Sequence, residues 1–313
     1  MRYLVTGAHG LLGQKVALAL AGETGDEILL TDLAPKTFFI NSRFDYQQLD
    51  ITRLQDVKSL LAAWRPDVII NTAAMTDVDA CETDRVHAWR INVDGLKHLI
   101  IAARRIEGCR IVQVSTDYVF DGKSGPYDEQ SRPAPLSYYG KAKLAAENAL
   151  LTAPVQGVIA RTQVLYGTGY EVRRNFVSWV LEQCERGTPF KVVDDQIGNP
   201  TLADDLAFAL LTLVERGCTG VYHVSGPEAL SRYAFAQEIA RVFGFETGLL
   251  APTTSLEIGQ SANRPADSTF ITLKFEAVAG RRLSTVRQGL ERLRYQIREG
   301  AQHTDLLSDP RFG

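Results

Sequence analysis

Cysteine is scarce and scattered in this chain. Cys81, Cys109, Cys184 and Cys218 form no C-x-x-C pair, and no His stands at metal-ligand spacing from them. That pattern argues against the common zinc modules and the dithiol redox motif, so no metal site is expected. Neither sign of charge is in excess: 34 Lys and Arg face 37 Asp and Glu, for a net charge of −3. Without a global basic field, nucleic acid is not an expected partner. Long hydrophobic runs are missing, so no stretch is expected to span a bilayer. Internal repeats and low-complexity tracts are missing too. The first residues pass straight into Tyr3-Leu4-Val5 with no leader-like pattern, which makes a cytoplasmic location the expectation. What remains is 313 residues with 45% hydrophobic content, enough for a sizeable core in one large domain or two lobes.

Tyr3-Leu4-Val5 reads as a short buried strand. Gly7-Ala8-His9-Gly10-Leu11-Leu12-Gly13 follows, and then the helical Gln14 to Leu20. A glycine-rich turn between strand and helix lets the backbone approach a pyrophosphate, and the helix N-terminus favours its charge. The spacing is G-x-x-G-x-x-G rather than the G-x-G-x-x-G fingerprint. Glu27 to Asp32 reads as the second strand. Asp32 at its end can bond both ribose hydroxyls of an adenine nucleotide and would repel a 2′-phosphate. The expected cofactor is therefore NADH or NADPH, with NADH favoured by Asp32. A third strand spans Phe44 to Ile51, placing Asp50 where an adenine edge could lie.

Leu54 to Trp64 has helical spacing, ended by Arg65-Pro66. Val68 to Ala74 reads as a strongly buried strand whose small residues leave room for a ligand at its carboxyl end. Arg85 to Arg105 reads as one long helix, with Asn92 inside it as a poor helix former. Arg110 to Asp117 is the fifth strand and ends in polar residues, of which Ser115 or Thr116 can bond a carbonyl oxygen. Val155 to Arg161 is the sixth. This alternation predicts an α/β fold with a doubly wound parallel sheet of the Rossmann type.

Ser137-Tyr138-Tyr139-Gly140-Lys141-Ala142-Lys143 leads into a helical Leu-Ala-Ala-Glu run. Residues four apart share a helix face, so Tyr139 and Lys143 meet while Tyr138 has only Ala142 at that offset. A nearby ammonium is expected to lower the phenol pKa and make Tyr139 a general acid or base.

After Arg161 the alternation becomes irregular. Helical character is expected from Asn175 to Glu185, from Ser231 to Phe243 and from Thr285 to Arg298, with strands at Phe190 to Asp195 and Gly220 to Gly226. Residues 1–163 plus about 190–223 are expected to form the nucleotide-binding domain. Residues 164–189 plus 224–313 are expected to form a smaller C-terminal substrate lobe. Asp195, Gln196 and Asn199 are expected to shape the junction between the two. The polar stretch from Gly300 to Gly313 is expected to be loosely held.

In this order the residues resemble the extended short-chain dehydrogenase/reductase family over nearly the whole chain. The matching motifs are the glycine turn, Asn71-Thr72-Ala73-Ala74, Asn92 and Tyr139-x-x-x-Lys143. A narrower resemblance is to dTDP-4-dehydrorhamnose reductases. It rests on Ser115-Thr116-Asp117-Tyr118-Val119-Phe120-Asp121-Gly122, on Asp195-Gln196-x-Gly198-x-Pro200-Thr201 and on Arg264-Pro265.

The resemblance implies a catalytic triad of Thr116, Tyr139 and Lys143, with Asn92 supporting a proton relay. It implies a dinucleotide site from Gly7, His9, Gly10, Leu11, Leu12, Gly13, Asp32, Asp50, Ile51, Asn71, Ala73, Ala74, Asn92, Val114, Tyr139 and Lys143. It implies a nucleotide-sugar site from Thr76, Thr116, Asp117, Tyr118, Val164, Asn175 and Arg264, the last facing the diphosphate. The expected reaction is reduction of the 4-keto group of a nucleotide-linked 6-deoxyhexose, and a homodimer is the family expectation. Met75 and Val164 stand where family members often carry Tyr and Trp. Two alternatives stay open: another sugar-nucleotide reductase or epimerase, and a non-catalytic regulatory subunit like the methionine adenosyltransferase β subunit.

Overall fold

The computed structural model describes residues 1–22, 25–39 and 43–300. The polar tail beyond residue 300 lies outside the described residues. Seven strands form one parallel sheet: β1 Arg2–Thr6, β2 Glu27–Asp32, β3 Phe44–Gln48, β4 Val68–Asn71, β5 Arg110–Thr116, β6 Gln156–Thr162 and β7 Gly220–His223. Their order is β7-β6-β5-β4-β1-β2-β3. The chain starts at β1, winds outward to β3, then returns and builds the other half from β4. The reversal falls between β1 and β4, which pair from Tyr3↔Val68 to Thr6↔Asn71. Open α/β sheets bind ligands outside the carboxyl ends of strands at such a switch point.

Side chains alternate across the sheet because the strand period is two. Val5, Leu30, Ile70, Val112 and Val158 enter one core, beneath the helices Leu11–Ala21 and Ala203–Glu215. Leu4, Leu29, Ile69, Ile111 and Ile159 enter the other, beneath Leu54–Trp64, Gly95–Ala103 and the far end of Tyr138–Leu151. Covering both faces explains why β4 is apolar at consecutive positions rather than alternating. Each fully buried Leu, Ile or Val contributes about 1.5–3 kcal/mol relative to exposure.

A third core lies outside the sheet. Tyr166, Val177, Val180, Phe235, Ile239, Leu290 and Leu293 join the helices Phe176–Glu185, Arg232–Phe243 and Val286–Gly300. Phe190–Val193 pairs in parallel with Leu250–Thr253 in a separate two-stranded sheet. Of the segment expected at 190–223 in the nucleotide-binding domain, it is therefore the helix Ala203–Glu215 and β7 that cover and extend the main sheet. The junction residues are tied by hydrogen bonds. Asp195 accepts from the Ser255 backbone and hydroxyl. Gln196 donates to Ser255 Oγ and Gln260 Oε1, and Asn199 Oδ1 accepts the Phe270 N–H.

Two expectations are corrected. The third strand stops at Gln48, and Asp50 folds back to accept from the Thr52 N–H and hydroxyl. The long helix is interrupted: Arg85–Trp89 and Gly95–Ala103 flank a π-helical turn, Arg90–Asp94. Such turns recur at functional sites, and this one carries Asn92.

Candidate active site

The site begins with the glycine turn. Gly7 has φ +68, and a Cβ there would sit 2.7 Å from the Ala73 backbone on the neighbouring strand's exit. At Gly13 a Cβ would meet the Gly7 carbonyl oxygen at 2.2 Å. These two glycines let the turn close against the sheet and the helix against the turn. Gly10 differs, with φ −70 and ψ 161 as N-cap of Leu11–Ala21 and no side-chain cap. Its Cβ would meet only the Gly7 oxygen, at 3.3 Å, a milder contact than at Gly7 or Gly13.

Asp32 braces this turn from the end of β2. One carboxylate oxygen accepts the His9 N–H at 2.9 Å and the other accepts the Leu33 N–H at 2.7 Å. The His9 N–H is thus committed to Asp32, and its ring stacks on Tyr46 with centroids 5.3 Å apart. Burial and the charge of Asp32 push the Tyr46 phenol up to about 12. Leu11 lies against Gly167, whereas Leu12 is buried in the core.

Across the switch point the polar residues form a ladder. Thr6 Oγ1 donates to Asn71 Oδ1 at 2.6 Å, and Asn71 Nδ2 donates to Gln113 Oε1 at 2.7 Å. Asn71 is one of the expected cofactor residues, yet its side chain is buried and paired at both ends, joining three strands. Ile51 is likewise packed in the core, its carbonyl held by His98 Nδ1 at 2.9 Å. Ala73 and Ala74 remain half-buried beside the glycine turn, and Thr76 is exposed beyond them. Asn92 holds the Met75 backbone with both ends of its amide, at 3.0 Å each. The structure thus gives Asn92 the shape of the loop after β4 as its task.

Thr116 ends β5, and from the first turns of Tyr138–Leu151 Tyr139 hydrogen-bonds with it while Lys143 reaches the same strand at Val114. Ser137 caps that helix by accepting the Gly140 N–H. A Cβ at Gly140 would meet the Tyr118 carbonyl oxygen at 2.1 Å, so glycine is what brings the helix onto the loop after β5. All three expected catalytic side chains are buried. Lys143 Nζ donates to the Val114 carbonyl at 2.6 Å. Burial lowers its pKa to about 8 against the opposing pull of Glu147 and Cys81.

The expectation that Lys143 lowers the Tyr139 pKa is corrected. Burial raises the phenol well above its ordinary value, the Asp117 charge adds to the rise, and hydrogen bonding with Thr116 acts the other way. The ammonium is turned to Val114 instead. Tyr139 is protonated at neutral pH, as an unshifted phenol also is.

Asp117 is buried, accepting from Thr116 Oγ1 at 3.0 Å and from Ser268 Oγ at 2.6 Å. Desolvation raises its pKa to about 6, and Ser268, Arg232 and Thr116 act against the rise. Tyr118 meets Tyr139 edge-on at 5.9 Å. Arg264 reaches this loop's neighbourhood but is engaged: Asp79 binds both its terminal nitrogens, at 2.7 and 3.3 Å. Asn175 caps Phe176–Glu185 through a reciprocal capping box and donates to the Gly167 carbonyl. It borders a cavity of about 220 Å³ shared with Arg173, Arg174 and Ser178. Val164 adopts φ +45, an outlier for a β-branched residue.

The family described as RmlD substrate binding domain matches residues 1–298. The chain belongs to this family. A dTDP-4-dehydrorhamnose reductase of Aggregatibacter actinomycetemcomitans is 35% identical over 305 residues, covering 94% of this chain and 98% of that protein. The crystal structure of a dTDP-4-dehydrorhamnose reductase from Clostridium acetobutylicum is similar with TM-score 0.86 at 34% identity, over 95% of this chain and 100% of that one. A Bacillus anthracis dTDP-4-dehydrorhamnose reductase in complex with NADP gives 0.81 at 31% identity, over 94% and 99%.

Three groups at the RmlD-type site escaped the sequence reading. Cys81 lies beside Tyr139 in a small apolar cluster, its thiol pushed up to about 11, chiefly by burial. No spacing marks it. Arg161 and His223 meet behind the helix Tyr138–Leu151 at 3.3 Å. The one available signal was Glu147, four residues beyond Lys143 and so on the same helix face.

Proposed function

We propose that this chain reduces the 4-keto group of a nucleotide-linked 6-deoxyhexose, taking dTDP-4-dehydro-L-rhamnose to dTDP-L-rhamnose. The observation that carries this reading is that buried Tyr139 and Lys143 meet the carboxyl end of β5 at Thr116 and Val114. It occurs in a chain whose full-length relatives bear the dTDP-4-dehydrorhamnose reductase name.

A nicotinamide dinucleotide fits the residues present. The bare Gly10 cap, the helix N-terminus behind it and the switch-point cleft suit a pyrophosphate. Gly7, Gly10, Gly13, Leu11, Ala73 and Ala74 would line its path, with Lys143 at the nicotinamide end. Asp32 supports NADH over NADPH, because a 2′-phosphate would face its carboxylate. When bound, the cofactor supplies the hydride.

Every other task falls to the chain. With substrate present the Thr116 hydroxyl turns its proton from Asp117 to the C4 carbonyl oxygen and stabilises the charge that develops there. Tyr139, protonated at neutral pH, transfers its phenolic proton to the forming alkoxide. Lys143, its ammonium on the Val114 carbonyl, would hold the nicotinamide ribose. Asn92, through Met75, fixes the loop bordering the site. Asp117, Tyr118 and Arg264 form the sugar side, and the lobe of residues 164–189 and 224–300 closes over it.

Among the described residues no helix is long and apolar enough to cross a membrane. A cytoplasmic homodimer belongs to this proposal, and light scattering at working concentration tests the dimer. Turnover of the keto-sugar with each cofactor tests the activity and the role of Asp32 together. Cofactor binding without turnover would move the assignment to a different keto-sugar.

A further inference from the structure

Behind the catalytic triad lies a buried charge network. Glu147 stands one helical turn beyond Lys143. Its Oε1 accepts from Ser115 Oγ at 2.5 Å and from Arg161 Nε at 2.9 Å, and its Oε2 accepts from Arg161 Nη2 at 2.6 Å. The Glu147 and Arg161 side chains are 1% and 4% exposed. Arg161 Nη1 lies 3.3 Å from His223 Nε2, and His223 Nδ1 lies 3.1 Å from the Tyr127 carbonyl. A carbonyl accepts only, so Nδ1 carries the proton and Nε2 accepts from Arg161. Burial and the Arg161 charge lower His223 to about 3, so the imidazole stays neutral. It stacks on Phe270 at 3.9 Å.

Such a pair is not explained by stability. Two charges taken from water cost several kcal/mol each, and a well-packed apolar pair is often as stable or more so. Its position gives the reason. Ser115 immediately precedes Thr116 on β5, Glu147 shares a helix face with Tyr139 and Lys143, and Arg161 sits on β6. One carboxylate therefore fixes the register between the strand bearing one catalytic group and the helix bearing the other two.

We propose that Glu147 is a positioning residue that locks the catalytic helix to β5 and sets its carboxylate one helical turn from the Lys143 ammonium. This rests on the proposed reductase reading. The groups facing Lys143 are few. Tyr139 and Glu147 lie on its own helix, and Cys81 faces it from Val78–Thr83. β5 offers the Val114 carbonyl, with neutral Ser115 and Thr116 beyond, and Asp117 acts on Tyr139. Arg161 and His223 stand behind Glu147. Of these, Glu147 is the carboxylate that opposes the burial of the ammonium.

The test is a titration of the Lys143 ¹³Cε resonance in lysine-labelled protein, assigned by its loss in Lys143→Met, with the pH profile of kcat measured alongside. Glu147→Gln should move the Lys143 transition down by about one pH unit, and the alkaline limb of kcat should move with it. Glu147→Gln/Arg161→Met replaces the ion pair by a neutral one and should move both in the same direction by less. An unmoved Lys143 transition in the folded variants would overturn the proposal. So would a lower kcat with no displacement of the limb, or failure of both variants to fold, which would leave a purely structural pair. If the wild type itself does not turn over the keto-sugar, the reductase reading fails, while the resonance still decides the role of Glu147.

Discussion

Gly10→Ala separates the cofactor role of the glycine turn from its structural role. The Gly10 backbone, at φ −70 and ψ 161, suits any residue. The added methyl meets only the Gly7 oxygen, at 3.3 Å. Ala is a poorer N-cap than Gly by up to about 1 kcal/mol. The smaller entropy of the unfolded chain returns about 0.4–1 kcal/mol. The two nearly cancel, and the Gly7 carbonyl must give by a few tenths of an ångström, so stability in urea should fall by no more than about 1 kcal/mol. Cofactor affinity should not stay, because the methyl stands where a pyrophosphate must approach. Calorimetry should show Kd for NADH raised at least about tenfold, or about 1.4 kcal/mol. Gly13→Ala provides the contrast. Its Cβ would lie 2.2 Å from the Gly7 oxygen and 2.7 Å from the Ala8 Cα, and overpacking against backbone should cost about 3 kcal/mol. Wild-type NADH affinity in a folded Gly10→Ala would refute the pyrophosphate assignment. A fully stable Gly13→Ala would refute the packing argument.

Tyr139→Phe should lose at least about a hundredfold in kcat, the scale of general acid catalysis, while NADH affinity by calorimetry stays near wild type. Arg264→Ala, by freeing Asp79 and loosening the loop beside Tyr118, should raise KM for the keto-sugar by about tenfold with a smaller change in kcat. His223 carries a pH dependence of defined sign. Its folded pKa of about 3 lies below the ordinary 6.5, so the unfolded chain binds the extra proton and stability falls as pH falls from 6.5. Asp117, at about 6 in the fold, acts in the opposite direction between 6 and 3.8. The difference between wild type and His223→Gln isolates the histidine: denaturation curves should show the variant losing less stability between pH 6.5 and 4.

The parallel sheet was legible because fully buried strands such as Val68–Asn71 leave long apolar runs, and because glycine at Gly7 and Gly13 marks close backbone approach. The shared burial of Tyr139 and Lys143 on one helix was legible from spacing alone. Their protonation behaviour was not, because desolvation depends on what covers a group, and no local pattern states that. Asn71 and Asn175 were read as ligand-facing, and both make structural hydrogen bonds, one across strands and one at a helix cap. A polar residue in a motif looks the same in either role. The π-helical turn at Asn92 and the positive φ of Val164 are imposed by tertiary packing over ordinary propensity. The Glu147–Arg161–His223 network joins residues 14 and 62 positions apart, and only the folded sheet brings them together.

The central claim is tested most directly by incubating the purified chain with NADH or NADPH and enzymatically generated dTDP-4-dehydro-L-rhamnose. Nicotinamide oxidation is followed by absorbance, and the sugar product is identified by NMR. The account predicts dTDP-L-rhamnose, formed with higher kcat/KM for NADH than for NADPH and abolished in Tyr139→Phe. Tight cofactor binding with no turnover of this sugar would contradict the substrate assignment. Undiminished turnover in Tyr139→Phe would contradict the mechanism.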